Sequence, residues 1–271
     1  MRIIDSFMYF DEDLILEIRL NTLHKVVDKF IICEATRDHA GNKKILNFDK
    51  EKFSKFKDKI EYIIVDDIPL NVESNKKNWH KNHVRDQFQR NAIVRGLNTC
   101  SPEDYIMISD IDEIPNPKKI NEFNIKNKYA CFLQKNFQSK INLLNITENN
   151  WPGTKICQKK NLKSPQWLRD IKTKKRPFWK IFRDKQPQLI KDGGWHFSFL
   201  KKPDSIIKKI KSYSHQEFNT PRFTNKDNIE KKILKGEDLF DRKLKYKIVN
   251  LDETFPDYII NNKDKFKDWI A

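Results

Sequence analysis

The stretch YIMISDIDEIPNP, Tyr105 to Pro117, decides how this chain is read. Five strand-like residues break into three acids within four positions, and two prolines then halt the run. At the end of an extended strand, residues i and i+2 project on the same side, so Asp110 and Asp112 are expected to reach one point. Two carboxylates that close repel one another unless a cation sits between them. A Mg²⁺ or Mn²⁺ that also grips a diphosphate resolves the repulsion, because hard cations take oxygen ligands and share them with phosphates. The competing reading is an acidic surface turn before Pro115.

Outward from this stretch, apolar runs alternate with helical periodicity. RIIDSFMYF, DKFIICEAT and KIEYIIVDD read as strands apolar on both faces, and DLILEIRLNTLHKVV and NWHKNHVRDQFQRNAIVRGL as helices. This order predicts an α/β fold with a mostly parallel central sheet flanked by helices. Acids recur where strands end, at Glu34, Asp66, Asp67, Asp110 and Asp112, and open α/β sheets bind ligands beyond their carboxyl ends. The helix before the acidic run carries Arg85, Arg90, Asn91 and Arg95. Local pairing of Arg90 with Asp86 is the alternative to a ligand role for that arginine.

After Pro117 the texture becomes aromatic and more antiparallel. KYACFLQKNFQSKINLLNI, PFWKIFR and GGWHFSFL read as strands, with turns at Pro152-Gly153 and Gly193-Gly194. Two helices follow, PDSIIKKIKSY and TNKDNIEKKILKG, the second with Thr224 and Asp227 at capping-box spacing and a stop at Gly236. Neither repeat nor low-complexity linker interrupts the chain, so residues 1–271 are expected to form a single domain.

The net charge of +16, from 54 Lys+Arg against 38 Asp+Glu, suits phosphates, acidic glycans, anionic membrane surfaces or nucleic acid without choosing among them. Basic residues are dispersed, and no basic-aromatic module marks a nucleic-acid binder. A basic nucleic-acid-binding protein or metal-dependent nuclease is therefore the second reading. Cys33, Cys100, Cys131 and Cys157 are scattered with neither C-x-x-C pairing nor zinc spacing, which suits a reducing compartment. No run approaches the ~18 apolar residues of a membrane span, and MRIIDSFMYFDEDL is too acidic for a signal peptide, so a soluble cytoplasmic protein is expected.

A basic-polar helix leading to a strand and then D-x-D resembles the layout of nucleotide-sugar glycosyltransferases of the GT-A fold. Within that fold the chain resembles glycosyltransferase family 17, which includes the β-1,4-mannosyl-glycoprotein N-acetylglucosaminyltransferase that adds bisecting GlcNAc. The resemblance is carried by DSFMYFDEDLILEIRLNTL, VDKFIICEAT, RDQFQRNAIVRGL, DYIMISDIDEIPNP, GGWHFSFL and KIKSYSHQEFNTPRFTNKDNIEKKILKGEDLFDR, in that order from about residue 5 to 242. The Golgi anchor and stem of the animal proteins are not matched.

The resemblance implies a UDP-sugar donor, UDP-GlcNAc, a Mn²⁺ or Mg²⁺ cofactor, a glycan acceptor and inversion at the anomeric carbon. It makes residues 1–115 the nucleotide-sugar half and 116–271 the acceptor half. Asp110 would meet ribose or the metal, Asp112 the metal, and His196 or His215 would add a ligand; His196, beside Trp195 and Phe197, also reads as a core histidine. Asp5, Ser6 and Glu34 are candidates for the uridine site, with Arg85, Arg90 and Asn91 beside the donor. Inversion needs a carboxylate base, for which Glu217, Asp192 and Glu113 are candidates. Trp79, Trp151, Trp167 and Trp195 offer flat faces for a sugar, or core packing.

Overall fold

The computed structural model describes residues 1–70, 79–174 and 185–271, without the side chains of Trp79 and His80. The chain runs β1 (Ile3–Tyr9), α1 (Asp13–Leu23), β2 (Lys29–Ala35), β3 (Ile60–Val65), α2 (Trp79–Asn91), β4 (Tyr105–Asp110), β5 (Glu113–Pro115), β6 (Tyr129–Gln138), β7 (Leu143–Asn145), β8 (Trp151–Gln158) and α3 (Pro165–Asp170). It continues through β9 (Gln188–Ile190), β10 (Gly194–Ser198), α4 (Pro203–Ser212), α5 (Pro221–Thr224), α6 (Lys226–Lys235), β11 (Tyr246–Ile248) and α7 (Asp257–Ile260).

The sheet order is β11-β7-β6-β8-β4-β1-β2-β3, with β10 between β5 and β6 and β9 against β6. Strands β4, β1, β2 and β3 are mutually parallel, whereas β8 is antiparallel to both β4 and β6. The sheet is therefore mixed, and its parallel part is the first half of the chain. β1 has β2 on one side and β4 on the other, which makes a crevice at their carboxyl ends, the switch point where such folds bind ligands. Met8 and Asp110 are register partners at that end of β1 and β4.

Alternation along the parallel strands builds two apolar layers. Phe7, Phe30, Ile32 and Met107 pack with α1 and with Phe255 and Phe266 of the C-terminal segment; Ile4, Ile31, Cys33, Ile106 and Ile108 pack with Ile93, Leu97 and Leu168. All four cysteines are buried and free. Among the described residues no helix is long and apolar enough to cross a membrane.

The structure departs from expectation at four places. α2 tightens into a 3-10 turn at Ala92–Leu97, where Gly96 lies so close to Ile31 that a Cβ would stand 3.0 Å from that side chain. Pro152-Gly153 lies inside β8: Pro152 pairs with Leu133 beside a register shift, where a missing N–H is tolerated, and Gly153 makes room for Gln134. Glu113–Pro115 forms β5, antiparallel to β10, where a terminating turn was expected. Asn225, not Thr224, caps α6 by accepting from the N–H of Asn228, and Gly236, at φ 65, ends it. The strand expected over PFWKIFR lies outside the described residues.

Candidate active site

A cavity of about 480 Å³ opens at the carboxyl ends of β1 and β4. Its walls come from the end of β1, residues 37–39 after β2, α2, the turn 110–112, α3, His196, and the end of α4 with the segment to His215. The size suits a small organic ligand.

The acidic run is anchored from beneath by Arg19 of α1, which is fully buried. Its guanidinium donates to both oxygens of Asp5, at 2.7 and 2.6 Å, and to the Ser109 hydroxyl at 2.6 Å. It also donates to the carbonyls of Asp110, Ile111 and Glu113, at 3.0–3.1 Å. One buried cation thus fixes the backbone path of the turn, and Asp5 serves to neutralise that cation.

The strand ends at Asp110 and residues 111–112 turn, so the period of two is lost and the acids enter separate surroundings. Asp110 accepts from Arg90 at 2.9 Å on one oxygen and from Arg169 at 3.0 Å on the other. Burial alone would raise its pKa, but Arg169 and Arg90 outweigh it and hold Asp110 well below the usual carboxylate range. Arg90 pairs with Asp86 as well, at 3.1 Å, so the local and long-range readings of that arginine both hold. Glu113 is fully buried, its oxygens taken by Trp151 Nε1 at 2.7 Å, Arg169 at 2.8 Å and the Asp110 N–H at 3.1 Å. A carboxylate so engaged braces the turn and has no oxygen free to serve as a base.

Asp112 is different. Its neighbours are His196 Nε2 at 3.8 Å and Lys209 Nζ at 3.5 Å, both beyond direct hydrogen-bond range. His196 stacks on Trp151, with ring centroids 4.5 Å apart, and its buried Nδ1 has no hydrogen-bond partner among the described residues. Among the described residues no three His, Cys, Asp or Glu side chains form a metal-binding cluster. A cation held here by Asp112 and His196 would need further ligands, such as the phosphates of a substrate.

Nearby, Glu12 accepts from the N–H groups of Phe10 and Asp11 at 3.0 Å each, with Lys201 at 3.4 Å and Lys209 at 3.7 Å. Burial would raise its pKa, but the two lysines and the N–H donors lower it to about 2. His215 lines the cavity, and its Nδ1 lies 2.9 Å from Glu217, which is itself half exposed and outside the lining.

Other expected residues stand elsewhere. Ser6 is buried, its hydroxyl without a partner among the described residues, away from the cavity lining. Glu34 binds Lys44, the Tyr62 hydroxyl at 2.8 Å and the N–H groups of Asn47 and Phe48, so it braces the 44–48 loop. Arg85 donates to the carbonyls of His39 and Ala40, at 3.2 and 3.3 Å, and shapes the turn whose Arg37, Asp38 and His39 face the cavity. Asn91 accepts from the Gln166 N–H at 3.0 Å and ties α2 to α3. Asp192, at φ 49, lines a separate cavity of about 270 Å³ with Trp195, whose indole N–H donates to Thr254. Trp167 packs edge-on to Tyr129, and the Trp79 side chain lies outside the described residues.

Arg169, Lys209 and Glu12 were not singled out from sequence. Arg169 follows a Ser164 cap and Pro165 that mark a short helix, and Lys209 borders the buried Ile206/Ile210 stripe of α4, but nothing local aims either side chain inward. A model of glycosyltransferase family 17 matches residues 1–269 of the chain. Compared with curated proteins, the chain matches none.

Proposed function

Since the chain belongs to glycosyltransferase family 17, we propose that it transfers GlcNAc from UDP-GlcNAc to a hydroxyl of a glycan acceptor, in a divalent-cation-dependent single displacement with inversion. The observation that carries this reading is the incompletely satisfied Asp112–His196 pair in a ligand-sized cavity at the β1/β4 switch point. Asp112 and His196 would hold Mn²⁺ or Mg²⁺. When bound, the ion supplies Lewis-acid neutralisation of the diphosphate leaving group.

The chain's own residues supply the rest. Arg37 to His39 and the end of β1 enclose the nucleoside. Asp110, kept anionic by Arg90 and Arg169, accepts from a ribose hydroxyl on its open side, and the two arginines add positive field where phosphate charge develops. His215 accepts the proton of the acceptor hydroxyl on Nε2 while Glu217 holds Nδ1, a dyad at the cavity wall. The acceptor oxygen then bonds to the anomeric carbon as its bond to the diphosphate breaks, and UDP leaves with that electron pair.

The test is the melting temperature with UDP and Mn²⁺, since a ligand specific to the folded state stabilises it by mass action. A clear rise is expected, and Asp112→Asn is expected to abolish its metal-dependent part. Mass spectrometry of a donor-sugar panel then identifies the sugar released. No shift, together with tight, salt-sensitive DNA binding, would overturn the assignment in favour of a nucleic-acid-directed protein.

A further inference from the structure

The feature that this scheme leaves unused is Lys209. It projects from the last turn of α4 into the same cavity, and its ammonium stands between Asp112 and Glu12 without a direct hydrogen bond to either. We infer that Lys209 is a movable counter-ion, neutralising Asp112 in the free enzyme and passing to the donor diphosphate when a divalent cation takes its place. The inference rests on the cation-dependent reading above.

The contacts of each partner argue for exchange. Glu12 does not depend on Lys209, because two backbone N–H groups and Lys201 remain to satisfy it. Asp112 does depend on it: with Lys209 withdrawn, a mostly buried carboxylate keeps, among the described residues, only His196 at 3.8 Å. Such a charge demands another cation, and an arriving divalent ion supplies it while repelling the ammonium. Departure of Lys209 therefore leaves no orphaned group only when the ion is present.

The lysine can make this move. Its stem is flexible and its head is a compact charge that any phosphate oxygen can accept. At 3.5 and 3.7 Å it is held by field rather than by directed bonds, with the Phe199 ring 5.4 Å away as a further weak contact. Ser212, Tyr213 and Ser214, just beyond it, line the same cavity, so the head can turn along the wall without leaving the site. By contrast, Lys201 pairs directly with Asp11 and its role is to close the β1–α1 turn.

Ion and nucleotide binding are then coupled through Lys209, and linkage makes the coupling reciprocal. The experiment titrates Mn²⁺ into the full chain, reading free Mn²⁺ by electron paramagnetic resonance, with and without saturating UDP. Wild type is expected to bind Mn²⁺ weakly alone and about tenfold more tightly with UDP. Lys209→Met is expected to bind Mn²⁺ alone about tenfold more tightly than wild type and to lose most of the gain from UDP. Lys209→Arg, which keeps the charge, should follow wild type in the ion titration. Lys209→Gln carries the same expectation as Lys209→Met should the latter fail to fold. If wild type shows the coupling and the neutral variants retain it unchanged, the inference is overturned and the functional reading stands. If wild type binds neither UDP nor Mn²⁺, both fall.

Discussion

The two halves of one acidic turn have opposite fates. Asp110 and Glu113 are held directly on both oxygens, each meeting an arginine, an indole or a backbone N–H within 3.1 Å, Glu113 fully buried and Asp110 with one side open to the cavity. Asp112, between them in sequence, has Lys209 at 3.5 Å and His196 at 3.8 Å and, among the described residues, no direct hydrogen bond to its side chain. Acidity is common to all three and does not mark the functional one. The carboxylate proposed for the cation is the one whose partners stand off, while the other two, with Arg19 beneath, hold the turn in place.

The comparison breaks most visibly from below. Arg19→Met leaves Asp5 as a buried, uncompensated charge and strips a donor from three carbonyls, a loss of about 3–5 kcal/mol. In a domain of this size that lowers the melting temperature by roughly 10 °C. Adding Asp5→Leu is expected to recover part of the loss, because the stranded charge goes too. A single variant melting within about 2 °C of wild type would show that the floor of the turn is not where its rigidity resides.

That floor was partly legible in the sequence. β1, β2, β3 and β4 declare themselves because strands buried on both faces are almost continuously apolar. β8 does not, since Pro152-Gly153 is a turn dipeptide by type and becomes strand only through an irregular pairing with β6. In the site, Asp110, Asp112 and Arg90 were singled out by chemistry and spacing, His196 and His215 by the family resemblance, and all five line the cavity. Lys209 and Arg169 were not: with 54 Lys+Arg in the chain, identity singles out no basic residue, and only long-range packing decides which one turns inward. Asp5 and Glu34 show the converse, acids in apolar strands whose charge is consumed by Arg19 and Lys44. A strand-end acid looks the same in sequence whether it faces a ligand or a neighbouring cation.

Glu12 lies between the two extremes, and pH separates its contribution. Its folded pKa of about 2 is below the ordinary value of 4.5, so the stability it contributes is fully present above pH 4.5 and is lost as pH falls toward 2. The shift corresponds to a few kcal/mol, on the order of 3, for a carboxylate that is nearly inaccessible. Glu12→Gln is therefore expected to be less stable than wild type at pH 7 and to converge with it near pH 2. Urea midpoints at the two pH values check this, and parallel pH profiles for the two proteins would mean that the lysines around Glu12 add nothing.

The smallest effect on stability and the sharpest on turnover is expected on the open side, at Glu217. Its side chain is 55% exposed and its interaction with His215 is a surface contact, so Glu217→Gln should change stability by no more than about 0.5 kcal/mol. Burial would raise its pKa, but hydrogen bonding by its own backbone and by His215, with His83 nearby, holds it below the ordinary value, so the carboxylate stays ionised at neutral pH. A carboxylate accepts the Nδ1 proton of His215 and leaves Nε2 free to act as base, whereas a glutamine can present its amide N–H to Nδ1 and favour the opposite tautomer. Turnover of an assigned donor and acceptor pair should fall by at least about 100-fold, with the UDP–Mn²⁺ stabilisation intact. Wild-type turnover in this variant would remove the dyad from the mechanism while leaving Asp112 and His196 untouched.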